Sequence, residues 1–291
     1  MPELPEVEHL RRSLDPWLVG SRFSDVRLAR KSVVTLDSDE PRKSANFRVA
    51  LGVGDSVVGT DRRGKQMAIA FASGRLLVVQ LGMTGSVTIE RDKAPRGVEA
   101  RHRHVVWECR SAAGPIDSLP WRLVFRDPRR FGGLTAFRSR EALDRAWSKL
   151  GPDALHITDR ALQHALSRTC RPIKSALLDQ SVLAGVGNIY ADESLHAARI
   201  HPLSVANAVS APRVASLAAA LRRILGHATE AGGSTLRDYR DAFGRPGNAV
   251  QEHAAYGREG APCLRCGVVL VGLRLQGRAT VFCPRCQDLS T

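Results

Sequence analysis

The distribution of apolar residues changes character along this chain. Near the start, apolar side chains recur at helical spacing, with Pro5 in a first-turn position, which predicts an opening helix; they are Val7, Leu10, Leu14, Trp17 and Leu18. Short β-rich runs separated by glycine turns then continue to about residue 137 and predict an antiparallel sandwich or barrel. These runs are Phe47–Leu51, Met67–Phe71, Arg75–Leu81, Val87–Glu90, His104–Glu108 and Trp121–Phe125.

From about residue 140 the apolar pattern becomes helical. One stripe includes Leu162 and Leu166, and another runs from Val214 to Leu225. Residues 232–256 are rich in glycine and charge and predict a long mobile loop. We therefore predict domains at 1–137, 138–256 and 257–291, with the 232–256 loop closing the second.

Four of the six cysteines form two closely spaced pairs near the end of the chain. Cys263 and Cys266, then Cys283 and Cys286, give the CxxC…CxxC spacing of a tetrahedral zinc site. Four thiolates fill the coordination sphere, so the predicted Zn²⁺ is single and structural. Disulfides are disfavoured because the chain shows no secretory signal. The isolated Cys109 and Cys170 are predicted to be small buried hydrophobes.

The chain carries 43 Lys and Arg against 29 Asp and Glu, a net charge of +14. Such an excess favours a polyanionic partner, either nucleic acid or a membrane surface. The basic residues are spread along the chain, with no polybasic tail and no apolar stretch long enough to cross a bilayer. We therefore expect a folded surface that follows phosphates, no membrane association, and a cytoplasmic location.

Residues 177–193 contain a helix pattern, two glycines at 185 and 187, and Asn188 as the expected N-cap of a second helix. The unpaired N–H groups of a helix N-terminus suit a phosphate, so this helix–turn–helix can clamp a DNA backbone. A simple corner between two helices without a ligand is the alternative, because such corners are common.

Several motifs together resemble the formamidopyrimidine-DNA glycosylase family, in family order over essentially the whole chain. The resemblance implies an α+β protein with an N-terminal antiparallel β-sandwich and flanking helix, a helix–two-turn–helix domain and a C-terminal zinc-finger β-hairpin. The motifs are PELPEVE at 2–8, RGK at 63–65, LGMTG at 81–85, DPRRFG at 127–132, GVGNIYADE at 185–193 and the cysteine-rich end with Gly277 and Arg278.

The activity that this resemblance implies is a bifunctional DNA glycosylase and AP lyase. It would excise oxidised purines such as 8-oxoguanine and formamidopyrimidines from duplex DNA, as a monomer, and then cleave the strand by elimination. Removal of Met1 leaves Pro2 with a free secondary amine, whose reference pKa of about 7.7–8.0 suits a nucleophile at neutral pH. Glu3 is implied to shuttle protons and to stabilise the cationic intermediate. Lys65 matches the residue that contacts the lesion nucleotide and its phosphate.

The remaining site residues are also carried over from the resemblance. Met83, Arg129 and Phe131 match the trio that fills the gap when a base leaves the stack. Asn188 and Arg278 match a phosphate clamp. Lys174 and Glu6 are lesser candidates, for phosphate contact and for active-site polarity.

Some features depart from the family pattern or leave alternatives open. Gln80 stands where the family often has His before LeuGlyMet, and residues 93–120 match poorly apart from His104. Phe243 lies in a loop that resembles the lid over the flipped base. A non-catalytic zinc-ribbon DNA-binding protein, and the branch of the superfamily that prefers oxidised pyrimidines, remain as alternative functions.

Overall fold

The computed structural model describes residues 2–37, 46–91, 101–111, 120–234, 241–245, 247 and 253–289. The chain forms two compact units. The first comprises residues 1–2, 6–148 and 234–247, and the second comprises residues 3–5, 149–233 and 248–291. The cysteine-rich tail thus belongs to the same unit as the helices between 149 and 233, and the division into three domains stays a prediction.

The first unit is built around the opening helix and two β-sheets. Helix α1, Leu4–Leu18, confirms the predicted helix, and its Leu10, Leu14 and Leu18 are at most 1% exposed. The four-stranded sheet has the order β1-β7-β8-β6, with β1 Ser21–Leu28, β6 Ser86–Glu90, β7 Arg103–Ser111 and β8 Trp121–Arg126. The five-stranded sheet has the order β2-β9-β5-β4-β3, with β2 Val34–Leu36, β3 Val57–Arg63, β4 Gln66–Phe71, β5 Leu76–Gln80 and β9 Gly133–Phe137.

Aromatic side chains pack the two sheets against each other, which confirms the predicted sandwich. Phe23 on β1 meets Phe71 on β4 edge-to-face, with ring centroids 5.5 Å apart, and also contacts Trp107 on β7. All three rings are at most 2% exposed. Burial of each such side chain contributes about 1.5–3 kcal/mol relative to exposure, so this inner layer stabilises the packing of the two sheets.

Two local predictions in the first unit were wrong. Residues Phe47–Ala50 form a short helix, α2, and not a strand, because the Asn46 side chain accepts a hydrogen bond from the Arg48 N–H (3.0 Å) and caps the turn. A short apolar run has the same appearance in a strand and in a buried helical turn. The sandwich is also not wholly antiparallel, since β2 pairs with β9 in parallel. Helix α3, Arg140–Trp147, completes the unit.

The helices of the second unit surround one hydrophobic core. They are α4 Asp159–Ser167, α5 Ile173–Leu178, α6 Asn188–Ala197 and α7 Ala211–Glu230. The predicted stripe from Val214 to Leu225 lies on α7, and its members are 0% exposed. Helix α6 is different, because residues 189–196 are buried on every side. A helix enclosed in this way has its orientation set by neighbours all around it.

The last part of the second unit is a two-stranded hairpin beside the cysteines. Strands β10, Val271–Leu275, and β11, Arg278–Phe282, pair antiparallel around a two-residue turn, so that Leu275 lies opposite Arg278. The predicted zinc-finger hairpin is confirmed. Cys170 is exposed, contrary to the prediction, whereas Cys109 is buried as expected.

The predicted 232–256 loop falls largely outside the described residues, since only 232–234, 241–245, 247 and 253–256 are described. Within this part, Phe243 is 44% exposed and packs edge-to-face on Trp17, with ring centroids 6.0 Å apart. None of the described helices is both long enough and apolar enough to cross a bilayer.

Candidate active site and metal centre

The predicted nucleophile, Pro2, is buried and precedes α1, which begins at Leu4. On the helix, Glu6 is 1% exposed, and its Oε1 accepts a hydrogen bond from the Ser234 N–H (2.7 Å). Ser234 stands at the start of the loop that resembles a lid. Glu6 thus holds the backbone at this end of the loop, and its role in active-site polarity stays a prediction.

Two residues further along α1, the side chain of Glu8 binds three arginines. Its carboxylate accepts hydrogen bonds from Arg11 (2.9 Å), Arg12 (2.9 Å) and Arg62 on β3 (3.0 Å), and its side chain is only 8% exposed. Burial acts to raise the pKa of Glu8, but hydrogen bonds from Arg11 and Arg12 outweigh this effect and lower the pKa to about 2. Glu8 thereby fastens the first helix to the edge of the five-stranded sheet.

Lys65 lies in the two-residue turn between β3 and β4. The Arg62 guanidinium donates to the carbonyl oxygen of Gly64 (2.9 Å), so the same arginine that binds Glu8 also shapes this turn. Lys65 is half-buried. Its backbone position is therefore coupled to α1 through one side chain.

The three predicted void-filling residues occupy two turns of the first unit. Met83 and Phe131 are large apolar side chains that are 41% and 56% exposed, and Arg129, two residues before Phe131, is exposed as well. The Arg129 guanidinium lies over the Phe131 ring, 4.8 Å from its centroid. Large apolar side chains that remain this exposed suit insertion into a base stack.

A buried aspartate holds these two turns together. Asp127 is 0% exposed; its carboxylate accepts from the Thr84 hydroxyl (2.6 Å) and from the Gly132 N–H (2.7 Å). Gly82, at φ +63°, lies so close to the backbone of residues 131 and 132 that a Cβ atom there would overlap it. The turn carrying Met83 and the turn carrying Phe131 are thus held in fixed register.

In the second unit, the predicted catalytic carboxylate of Glu3 caps helix α6. Its two oxygens accept hydrogen bonds from the N–H groups of Gly187 (2.6 Å) and Ile189 (3.0 Å), and the residue is 3% exposed. The N-cap residue Gly187 has no side chain to satisfy these donors, so a residue far away in sequence does so. The carboxylate is held in one orientation at the positive end of a helix dipole.

The N-terminal end of α6 differs by one residue from the prediction. Asn188 is the first residue of α6, and Gly187, not Asn188, is its N-cap. A Cβ atom on Gly187 would overlap the Glu3 carboxyl group. Only glycine therefore lets the Glu3 carboxylate approach this helix end.

The structure brings the two predicted phosphate-clamp residues close together. The Asn188 side-chain amide donates to the carbonyl oxygen of Ala279 (2.9 Å), and Ala279 directly follows Arg278 on β11. Arg278 is exposed next to the hairpin turn. The start of α6 thus contacts the strand of the finger that begins with Arg278, which is compatible with the phosphate clamp that the resemblance implies.

The four paired cysteines form one cluster. All four Sγ atoms lie within 4.8 Å of one another, and the Cys266 and Cys283 sulfurs are 3.4 Å apart. Tetrahedral Zn²⁺ with Zn–S bonds of about 2.3 Å places its sulfurs about 3.8 Å apart, so the cluster fits the ion. Two CxxC knuckles supply all four ligands, which leaves no position for a reactive water.

Families of known domains match the chain in three consecutive segments. The formamidopyrimidine-DNA glycosylase N-terminal domain matches residues 1–134, and the H2TH domain of the same enzymes matches residues 150–240. The zinc finger found in FPG and IleRS matches residues 260–289.

Similarity to individual relatives extends over the full length. The formamidopyrimidine-DNA glycosylase of Thermomicrobium roseum is 40% identical over 298 residues, covering 99% of this chain and 100% of that protein. This chain belongs to the formamidopyrimidine-DNA glycosylase family. The enzyme of Laribacter hongkongensis is 38% identical, again over 99% of this chain and 100% of that protein.

Solved structures of formamidopyrimidine-DNA glycosylases share the fold. The MutM (Fpg) protein of Thermus thermophilus aligns over 100% of both chains with a TM-score of 0.80 and 36% identity. The Lactococcus lactis Fpg, in complex with DNA containing an abasic site, aligns with a TM-score of 0.84 and 28% identity over 98% of this chain and 99% of that chain.

The resemblance to formamidopyrimidine-DNA glycosylases implied a phosphate contact for Lys174, and the structure corrects this prediction. Lys174 is 0% exposed, and its Nζ lies 2.6 Å from an Asp192 oxygen and 2.8 Å from the Thr280 hydroxyl. It also donates to the carbonyl oxygen of Ala279 (3.0 Å), so all three ammonium donors have internal partners. Burial lowers the pKa of Lys174 and raises the pKa of Asp192 to about 6, and the charge of each residue opposes the shift of the other. In this structure Lys174 therefore joins α5 to α6 and β11, and none of its ammonium donors is left for a phosphate.

Sequence reasoning missed two buried carboxylates that organise the site. Asp127 stood inside the quoted DPRRFG motif, whose Asp-Pro step was itself a turn signal. Glu193 accepts three hydrogen bonds of 2.8–2.9 Å, from the backbone N–H groups of Ala254, Ala255 and Tyr256. No local signal identifies Glu193, because its partners are more than sixty residues away in the chain.

Proposed function

We propose that this protein excises oxidised purines, such as 8-oxoguanine and formamidopyrimidines, from duplex DNA and then cleaves the strand at the abasic site. The observation that carries the proposal is the Glu3 carboxylate, held by two N–H groups at the start of α6, immediately after Pro2 in the chain. The full-length similarity to formamidopyrimidine-DNA glycosylases supports the same chemistry. None of the relatives reported above belongs to the branch that prefers oxidised pyrimidines.

The nucleophile in this proposal is the secondary amine that removal of Met1 leaves on Pro2. Its lone pair forms a bond to C1′ of the damaged nucleotide, and the glycosidic C1′–N bond breaks, with its electron pair leaving on the base. A nitrogen that already carries two carbons gives a cationic iminium when the sugar ring opens. That cation acidifies the C2′ hydrogens, and loss of one of them expels the 3′ phosphate.

Glu3 transfers the protons in these reaction steps. Its carboxylate accepts the proton that the amine loses and passes it to O4′ as the ring C1′–O4′ bond breaks, so no free alkoxide forms. The same negative charge then stabilises the iminium. The two backbone N–H groups of α6 prevent the carboxylate from rotating out of position.

Extrusion of the damaged base is the task of the residues on the two exposed turns. C1′ is inaccessible within the stacked duplex, so the nucleotide must leave the helix. Met83 and Phe131 would fill the gap, and the Arg129 guanidinium would donate to the acceptors of the unpaired cytosine. The Asp127 bridge keeps the two turns in register during this step.

Binding of the DNA backbone is assigned to Asn188, Arg278 and Lys65. Asn188 and Arg278 would hold phosphates from the second unit, and Lys65 would contact the lesion nucleotide from the first. We further propose a cytoplasmic location, since the relatives are bacterial proteins that act on DNA. We also propose that one copy of the protein acts on each lesion, as a monomer. Light scattering of the protein–DNA complex tests the stoichiometry.

Borohydride trapping on a duplex containing 8-oxoguanine opposite cytosine tests the chemistry. Reduction of the iminium should join the protein to DNA, and mass spectrometry should place the cross-link on residue 2. Pro2→Gly should lose nearly all base excision and still bind DNA, whereas Pro5→Ala, three residues away, should trap normally. A cross-link on Lys65, or full activity of protein that retains Met1, would refute the assignment of Pro2.

A further inference from the structure

Helix α6 carries a histidine whose side chain reaches the cysteine cluster. His196 lies near the C-terminal end of the helix and is 4% exposed. Its Nε2 is 3.4 Å from Sγ of Cys263, which is 3% exposed. The proposed catalysis uses neither of these side chains.

The chemistry of the cluster fixes the direction of this hydrogen bond. A zinc-bound thiolate carries no proton and can only accept. Nε2 of His196 must therefore carry the hydrogen and donate it to the sulfur. Hydrogen bonds of this kind orient a metal ligand and are part of the site as much as the ligand itself.

Arg265, between the two cysteines of the first knuckle, makes a second connection to the same helix end. Its guanidinium donates to the carbonyl oxygens of His196 (3.2 Å) and Ala197 (3.4 Å). These carbonyls lie at the negative end of the helix dipole, where a cation is stabilising. The first knuckle is thus attached to α6 by two side chains. His196 reaches from the helix to Cys263, and Arg265 reaches from the knuckle to the end of the helix.

We propose that His196 is a positioning residue for the zinc centre, which orients the Cys263 thiolate and fastens the first knuckle to α6. The opposite end of this helix receives the Glu3 carboxylate and begins with Asn188. The metal and the DNA-facing groups of the second unit therefore share one rigid element. The proposal depends on the zinc site and is independent of the glycosylase chemistry.

The test compares His196→Leu with His196→Gln in the full-length, zinc-loaded protein. A chromogenic chelator measures the rate of zinc release, and competition with the chelator measures affinity. His196→Leu should bind zinc 10–100-fold more weakly, the usual effect of losing such a hydrogen bond. His196→Gln should stay within a few-fold of wild type, because the glutamine amide presents an N–H donor at a similar reach.

His201→Leu is the matched control. His201 is 8% exposed and packs on Phe282 of β11, with ring centroids 4.5 Å apart, and its ring nitrogen accepts from a backbone N–H. This variant removes a buried histidine from the packing of the finger without removing the bond to Cys263. Its zinc affinity should stay close to that of the wild type.

Cobalt substitution adds a readout that packing alone would not change. The sulfur-to-cobalt charge-transfer bands should shift in His196→Leu and return toward wild type in His196→Gln, even if the leucine variant is partly unfolded. The proposal is overturned if His196→Leu binds zinc as tightly as the wild type, or if His196→Gln binds zinc as weakly as His196→Leu. Equal weakening in His201→Leu would also overturn it, since the effect would then be general packing.

Discussion

Glu8 offers a quantitative test of how the first helix is fastened to its sheet. The hydrogen bonds from Arg11, Arg12 and Arg62 are made only in the folded state, where they lower the pKa of Glu8 from 4.5 to about 2 despite burial. Each pKa unit corresponds to about 1.36 kcal/mol of differential stabilisation of the charged form. The carboxylate therefore contributes about 3 kcal/mol to the free energy of unfolding at pH 7.

The sign of the pH dependence follows from linkage. Because the folded-state pKa is the lower one, the stabilisation is fully present above pH 4.5 and is lost as the pH falls toward 2. Glu8→Gln should thus lower the free energy of unfolding by about 3 kcal/mol at pH 7. At pH 3.5, the free energy of unfolding of Glu8→Gln should be only about 2 kcal/mol below that of the wild type.

Urea unfolding followed by tryptophan fluorescence measures the free energy of unfolding of the first unit, which contains Glu8. The chain has four tryptophans, and all of them lie between residues 17 and 147, in the first unit. Asp144→Asn is the control, since its ion pair with Arg140 joins two side chains that are each more than half exposed. Asp144→Asn should lower the free energy of unfolding by no more than about 0.5 kcal/mol.

Two results would refute the reasoning about Glu8. A loss below about 1 kcal/mol at pH 7 would mean that the three arginines do not stabilise the carboxylate in the folded protein. A loss that stays constant between pH 7 and pH 3.5 would mean that the substitution acts through packing and not through charge.

Three further predictions address the site. Gly187→Ala should displace the Glu3 carboxylate, because the new Cβ overlaps it, and should reduce excision far more than DNA binding; retained excision rates in single-turnover assays would contradict the cap. Arg278→Ala should weaken binding to every duplex and reduce the slope of log K against log salt concentration by about one, because one phosphate contact is lost. Arg129→Ala should leave that slope unchanged. It should instead narrow the preference for lesion:cytosine over lesion:adenine by about 1–3 kcal/mol. Equal losses on both pairings would exclude a base contact for Arg129. Cys266→Ser or strong chelation should unfold the finger and weaken DNA affinity, as followed by zinc content and fluorescence anisotropy, while the tryptophan-reported transition of the first unit stays in place.

Features whose pattern is contained within a few consecutive residues could be predicted from the sequence. The CxxC pairs identified the metal centre because each knuckle is local and only the meeting of the two knuckles is long-range. The stripe on α7 and the runs that became β4, β5, β6, β7 and β8 were read correctly because helix and strand periodicity reports which face is buried. Phe47–Ala50 was misread because a four-residue run is too short for periodicity to separate a helical turn from a strand.

The contacts of the buried polar residues, in contrast, depend on long-range packing. Glu3 caps a helix that begins 185 positions later, and Glu193 binds backbone groups sixty-one to sixty-three positions away, so no local pattern contains either pairing. Lys174 resembled a surface phosphate ligand in sequence, yet folding encloses it with Asp192 and Thr280. The local sequence does not distinguish a charged side chain that is exposed to solvent from one that is buried against a partner. Packing between segments far apart in the chain determines which of the two environments it has.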